Sequence, residues 1–300
     1  MPYRNIFIAN HAQMRVKFQQ LIVNNGEAEY SFPLEDIKSI MVDNQNTSLT
    51  VRLLTALAQE GICVMMCNEK HMPSLQLLPI APYCRQSKRV LLQLSQSKPK
   101  LKRIWQQIVQ AKINNQAKCL ELNGNEQAQK LKAIAASVQS GDSSNREGYA
   151  ARLYFKALFG EDFTRSAENE TNAALNYGYA ILRSYIAKTI VCEGLEPSIG
   201  IHHKNQLNQF NLADDIIEPF RPVVDCFVFG QLKEWGEQSY CFQKAELQLL
   251  LNAKTVVGGK TCSVSRAMEL MVQSVVASFE SEQIQLNLPD LLPTDFFAYD

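Results

Sequence analysis

Hydrophobic periodicity changes once along this chain, and that change constrains its fold more than any single motif. Up to residue 82 apolar residues alternate with polar ones or form short solid runs, the pattern of strands. MRVKFQ places Met14, Val16 and Phe18 on one strand face. Asn25-Gly26, between LIV and EYSF, is a hairpin turn signal. ICVMMC reads as a buried strand. SLTVRLLTALAQEG is the one helix expected in this part, with Ser48 as its N-cap and Gly61 at its C-terminal end. Beyond residue 100 the spacing turns helical. The run 101–139 carries Ile104, Ile108 and Ile113 on one face, with Lys and Gln on the other and a break near Asn123-Gly124. Further helices are expected over 145–160, with Ala151, Tyr154, Phe155 and Leu158 buried, and over 172–192. Residues 227–251 and 262–279 are expected to be mainly helical, around a turn at Gly258-Gly259. The proline-broken tail should be extended. The fold class is therefore α+β: a small N-terminal β-sheet domain over 1–82, a linker and basic helical segment over 83–100, and a larger all-α domain over 101–300.

The 300 residues are 46% hydrophobic and 20% charged, which suits a globular chain with a sizeable core, and the formal net charge is zero. Charge is nevertheless segregated. From 70 to 120 there is no Asp or Glu but ten Lys and Arg, among them Lys98, Lys100, Lys102, Arg103 and Lys112. Such a block reads either as a patch facing a polyanion or as a solvated helix face. Eight cysteines, none in a CxxC pair, read as reduced thiols. The N-terminus has no signal-peptide character and no run approaches the ~20 apolar residues of a membrane span, so a cytoplasmic protein with no membrane role is expected.

One stretch concentrates chemistry. Residues 200–225, GIHHKNQLNQFNLADDIIEPFRPVVD, join two histidines, an amide-rich loop, and Asp214, Asp215 and Glu218. On a helix these carboxylates share a face and repel, so a cation, a metal or water should offset them. Pro219 pushes Glu218 out of ordinary helical geometry, and the helix should end or restart there. His203 lies too far from Glu218 to share a turn. If a loop folds it back, imidazole and carboxylates together suit a divalent cation acting on phosphate; the alternative is a solvated acidic face.

Three pieces, NREGYAARLYF, GIHH and LADDIIEPFRP, together resemble the CRISPR-associated integrase family, the endonuclease subunit that inserts new spacers into CRISPR arrays. The 200–225 stretch is similar to the branch of type II systems. The resemblance implies a β domain followed by an α-helical catalytic domain. It also implies a metal site of Glu147, His203 and Glu218 loaded with Mg²⁺ or Mn²⁺, with Asp215 in support; His202, which has no place in that pattern, reads as a supporting or DNA-facing group. The implied reaction is attack by a DNA 3′-OH on a phosphodiester at the repeat ends. Arg146, Lys204, Asn205, Asn208, Arg221, Lys100, Lys102 and Arg103 are the expected DNA contacts. Implied partners are double-stranded DNA (prespacer and CRISPR repeat), a second copy in a homodimer, the small second acquisition subunit and the type II effector nuclease. Two other readings stand beside this one: a non-catalytic DNA-binding scaffold of the same assembly, and a related transposon-type integrase.

Overall fold

The alternating N-terminal sequence forms two four-stranded sheets in the computed structural model, which describes residues 4–69, 71–78, 86–235, 244 and 246–297. The chain divides into two compact units, over 1–84 and 85–298. In the first unit, β1 (Arg4–Ile8), β5 (Ile37–Val42) and β7 (Cys63–Cys67) run parallel, and β8 (Pro73–Leu77) closes that sheet antiparallel. The other sheet has the order β4-β3-β2-β6, from β2 (Gln13–Lys17), β3 (Gln20–Asn24), β4 (Glu29–Pro33) and β6 (Ser48–Leu49). Met14, Leu21, Val23, Ile37, Ile40, Val42 and Val64 face a shared core that α1 (Val51–Gln59) completes with Leu53 and Leu57.

The structure departs from the sequence expectation at the start of α1 and at Phe18. The cap of α1 is Thr50, whose side chain accepts from the Leu53 amide at 3.2 Å, because Ser48 is already committed to β6. Phe18 leaves the strand face. With Gln19 it makes the β2–β3 turn at φ +50° and +57°, the positive-φ pair that matches strand twist, and it is 87% exposed.

The second unit is built on α3 (Lys98–Leu122), preceded by α2 (Gln86–Leu94). Ile104, Ile108 and Ile113 are buried as expected, but so are Trp105, Lys112, Asn115 and Gln116. Helix α3 is therefore packed on several sides rather than lying amphipathic on a surface. Its neighbours are α4 (Ala128–Ala136), α5 (Arg146–Phe159), α7 (Asn211–Ile216) and α8 (Arg221–Trp235). The long α6 (Glu170–Cys192) packs on α7, α8 and α9 (Val264–Glu280). On α5 the fully buried face is Ala150, Tyr154 and Leu158, with Ala151 and Phe155 only partly covered.

The α+β class holds, with one addition to the helical unit. Residues 253–263 form a hairpin, β9 (Ala253–Val257) and β10 (Lys260–Ser263), turning at Gly258-Gly259. The tail adds β11 (Pro289–Phe296) to its other side. The tail is extended, as expected, in a strand of eight residues carrying two prolines, but helical spacing could not reveal the two short strands before it. An edge position tolerates those prolines, and Asn115 of α3 occupies the edge, donating to Pro289 O at 2.9 Å and accepting from Leu291 N at 3.0 Å. Six cysteines in the described residues are free thiols; Cys84 and Cys241 lie outside them. No described helix is long and apolar enough to cross a membrane.

Candidate active site

Asp215, fully buried on α7, organises the loop before it. Its carboxylate accepts from the amides of Ile201 (2.5 Å), His202 (2.9 Å) and His203 (3.1 Å), and from His203 Nδ1 (2.7 Å). This closeness explains Gly200. A Cβ there would lie 2.3 Å from His203 O and 2.8 Å from Asp215 Oδ2. Because a carboxylate only accepts, the neutral His203 ring carries its proton on Nδ1 and its lone pair on Nε2. The Asp215 hydrogen bond outweighs partial burial and, with the Glu218 and Asp214 charges, raises the His203 pKa above the ordinary histidine value. Asn211 ties down the rest of the loop: its Nδ2 donates to Ser198 O and Asn205 O, both at 2.9 Å, and its Oδ1 accepts from Asn205 N at 3.2 Å.

Glu147 stands in the first turn of α5, a helix entry built with care. Asn145 at φ +51° is the N-cap and accepts from Gly148 N. Asp142 accepts from Arg146 N at 2.8 Å and Glu147 N at 3.0 Å. A side chain at position 148 would collide with Asn145, its Cβ 2.7 Å from Oδ1, so Gly148 follows Glu147 for steric reasons.

Glu218 sits in the break that Pro219 imposes. A 3-10 turn over Glu218–Phe220 separates α7 from α8, and Asn115 of α3 holds it by donating to Pro219 O at 2.8 Å. The Glu218 side chain is 6% exposed. It pairs with Arg221 Nε at 2.9 Å and with the ammonium of Lys112, which reaches Glu147 Oε1 at 2.6 Å with its other side. Burial alone would raise the Glu218 pKa, but Arg221 and Lys112 override it and bring the pKa down to about 2. Burial pulls Lys112 down, yet Glu218 and Glu147 hold its pKa above the ordinary lysine value. Arg221 also lies 4.7 Å from the centroid of the Tyr179 ring.

The charge clash anticipated along 214–218 is thus resolved by the protein itself: Arg183 takes Asp214 (3.1 Å), four donors take Asp215, and Arg221 and Lys112 take Glu218. Glu147 and Glu218 come together around one ammonium, and His203 stands within electrostatic reach of Glu218. Among the described residues no three His, Cys, Asp or Glu side chains close on a common point, and the Lys112 ammonium lies between two of the three expected ligands. The donor set nevertheless fits a divalent cation. Two carboxylates already converge on one cationic centre, and the third donor has its ring orientation fixed by a carboxylate, as in many metal-bound histidines.

In the sequence Lys112 is legible only as part of the basic block, and Trp105 carries no signal of a role at the site. The Trp105 ring stacks on His202, centroids 4.2 Å apart and planes 3° apart, and meets His203 edge-on at 5.7 Å. His202 thereby acquires a packing role. Among the expected DNA contacts, Lys100 is corrected. It is 6% exposed, and its ammonium donates to Ser281 O at 2.7 Å, so it is spent inside the fold. The side-chain amides of Asn205 and Asn208 serve the loop, Asn208 donating to Asp214 Oδ2 at 2.7 Å. Arg221 is engaged by Glu218, and Arg146 is half-buried. Lys102, Arg103 and Lys204 are exposed.

The family model described as CRISPR associated protein Cas1 matches residues 6–257. The chain is 41% identical to the CRISPR-associated endonuclease Cas1 of Neisseria meningitidis serogroup C (strain 8013), over all of both chains. Its fold is similar to that of a casposase bound to integration product, with TM-score 0.77, 20% identity, and 95% of this chain and 93% of that chain covered. It is also similar to a chain of a Cas6-RT-Cas1–Cas2 complex, with TM-score 0.71, 18% identity, and 95% and 36% covered.

Proposed function

The chain belongs to the Cas1 family of CRISPR-associated proteins, and from that premise we propose that it is a DNA endonuclease and integrase that inserts prespacer DNA into a CRISPR array. The reaction is a transesterification. A prespacer 3′ oxygen bonds to a phosphorus at the repeat end, the existing 3′ P–O bond breaks, and the displaced 3′ oxygen leaves with a proton. One phosphodiester replaces another, so no nucleotide cofactor is consumed.

The observation that supports this reading most is the convergence of Glu147 and Glu218, far apart in sequence, on one buried cationic point. Glu147, His203 and Glu218 would hold Mg²⁺ or Mn²⁺ there, and the ion would supply Lewis-acid polarisation of the phosphate. The remaining tasks belong to the chain. Glu218, with its pKa at about 2, stays ionised at any physiological pH. Asp215 fixes the His203 ring and tautomer. Arg221, anchored by Glu218 and Tyr179, keeps a guanidinium at the site to face developing phosphate charge. Lys102, Arg103 and Lys204 supply exposed charge for the DNA backbone. Assembly with the small second acquisition subunit, as a homodimer, belongs to the same proposal. The type II effector nuclease is its further partner.

The test is joining of a short prespacer duplex to a supercoiled plasmid carrying a leader and repeat, with and without the small subunit, in Mn²⁺, Mg²⁺ or EDTA. Joined product in metal and none in EDTA is expected. DNA binding without joining under every condition would favour the scaffold reading.

A further inference from the structure

Lys112 has an unusual position for a lysine in a basic stretch. Its side chain is 11% exposed, and its ammonium touches carboxylate oxygens of both Glu147 and Glu218. The local charges are balanced as they stand, with Lys112 and Arg221 against Glu147 and Glu218. The two cations are not equivalent. Arg221 binds Glu218 alone, through Oε1, and is further seated on Tyr179. Lys112 bridges the two carboxylates and uses Glu218 Oε2, the oxygen that Arg221 leaves.

We propose that Lys112 is a resident competitor for the metal position: its ammonium and a divalent cation exclude each other from the Glu147–Glu218 pair. Both need the same carboxylate oxygens. A divalent ion added with Lys112 still in place would also leave the cluster with two uncompensated positive charges in a poorly hydrated setting. Lys112 therefore lowers metal affinity in the resting protein and keeps the two carboxylates from repelling each other. It has to leave when metal enters, and its flexible four-carbon stem allows that where an arginine fork would not. An ammonium turned out of this site is then available to a DNA phosphate, which makes metal loading and DNA binding mutually favourable. This inference rests on the metal-dependent reading above.

The test is equilibrium Mn²⁺ binding to the full chain, followed by the electron paramagnetic resonance signal of free Mn²⁺, for wild type and Lys112→Met. Methionine keeps length and helix compatibility without the charge. Tighter Mn²⁺ binding by Lys112→Met, by about tenfold, is expected, together with a lower melting temperature without metal. A merely structural lysine would not give this result, since loosening the site weakens metal binding. If Lys112→Met does not fold, Lys112→Gln is measured in the same way. Mn²⁺ affinity unchanged or weaker in a folded variant, with saturable binding by wild type, overturns the competition and leaves the metal reading intact. No saturable binding by any form overturns both.

Discussion

Asp225 lies on α8 at 1% exposure, and the Tyr179 hydroxyl donates to its Oδ1. Burial, only partly offset by that donor, raises its pKa to about 6. A carboxyl raised in the folded state binds more protons folded than unfolded between its ordinary value and 6. Its contribution therefore falls as pH climbs through that window and is level above it, a change on the order of 3 kcal/mol. Glu218 has the opposite sign. With its pKa lowered to about 2, its stabilisation is complete above the ordinary glutamate value of 4.5 and is lost as pH falls from there toward 2. Urea unfolding across pH should show both slopes. In Asp225→Asn the loss of stability from pH 4 to 6 should disappear while the acid limb remains. If the upper slope persists in that variant, burial of Asp225 is not its source. Gly200 is the other residue with a sharp consequence. Gly200→Ala should cost about 1–3 kcal/mol, by crowding against His203 O and Asp215, and should disturb His203 as well as stability. A melting temperature equal to wild type would show that the loop absorbs a methyl group freely.

At the scale of elements, the site is three pieces held on α3. The 3-10 turn presents Glu218, α5 presents Glu147, the loop before α7 presents His203, and α3 supplies Trp105, Lys112 and Asn115 to all of them. This explains what could be read beforehand. Gly200, His203, Asp215 and Glu218 lie within nineteen residues, and the proline after Glu218 announces its own helix break, so the stretch stood out. Glu147 needed the family resemblance, since a first-turn carboxylate alone is ordinary helix capping chemistry. Lys112 and Trp105 lie about a hundred residues upstream of the stretch they serve, on a helix whose Lys and Gln content suggested a solvated face. Their roles come from packing, which periodicity does not encode. Asn115→Ala should cost about 2–4 kcal/mol, because it strands Pro219 O, Pro289 O and the Leu291 amide without a partner. It should also release β11 protection in hydrogen exchange, and unchanged protection there would remove Asn115 as the tie.

Across the whole molecule, the acid-free stretch 70–120 illustrates how a charge run misleads when treated as one surface. Lys100 and Lys112 are turned inward onto carbonyls and carboxylates, while Lys102 and Arg103 are exposed. Charge reversal at Lys102 and Arg103 should therefore lower the slope of log affinity against log salt for DNA by about one to two, with folding intact. Lys100→Glu should instead destabilise the fold, and an unaltered melting temperature would contradict its inward role. The segregation into a strand-rich unit and a helical one was visible because period 2 and period 3.6 are distinct signals over long runs. The sheet of β9, β10 and β11 was not visible, because its first two strands are short and the third is recruited from the far side of a helix. Glu147, His203 and Glu218 are proposed to act as one centre for DNA strand transfer. The proposed centre is tested most directly by single-turnover joining with Glu147→Gln, His203→Ala and Glu218→Gln, each checked for folding. Each variant should lose about a hundredfold or more in rate while still binding DNA. Joining at the wild-type rate by any folded variant of the three would contradict it.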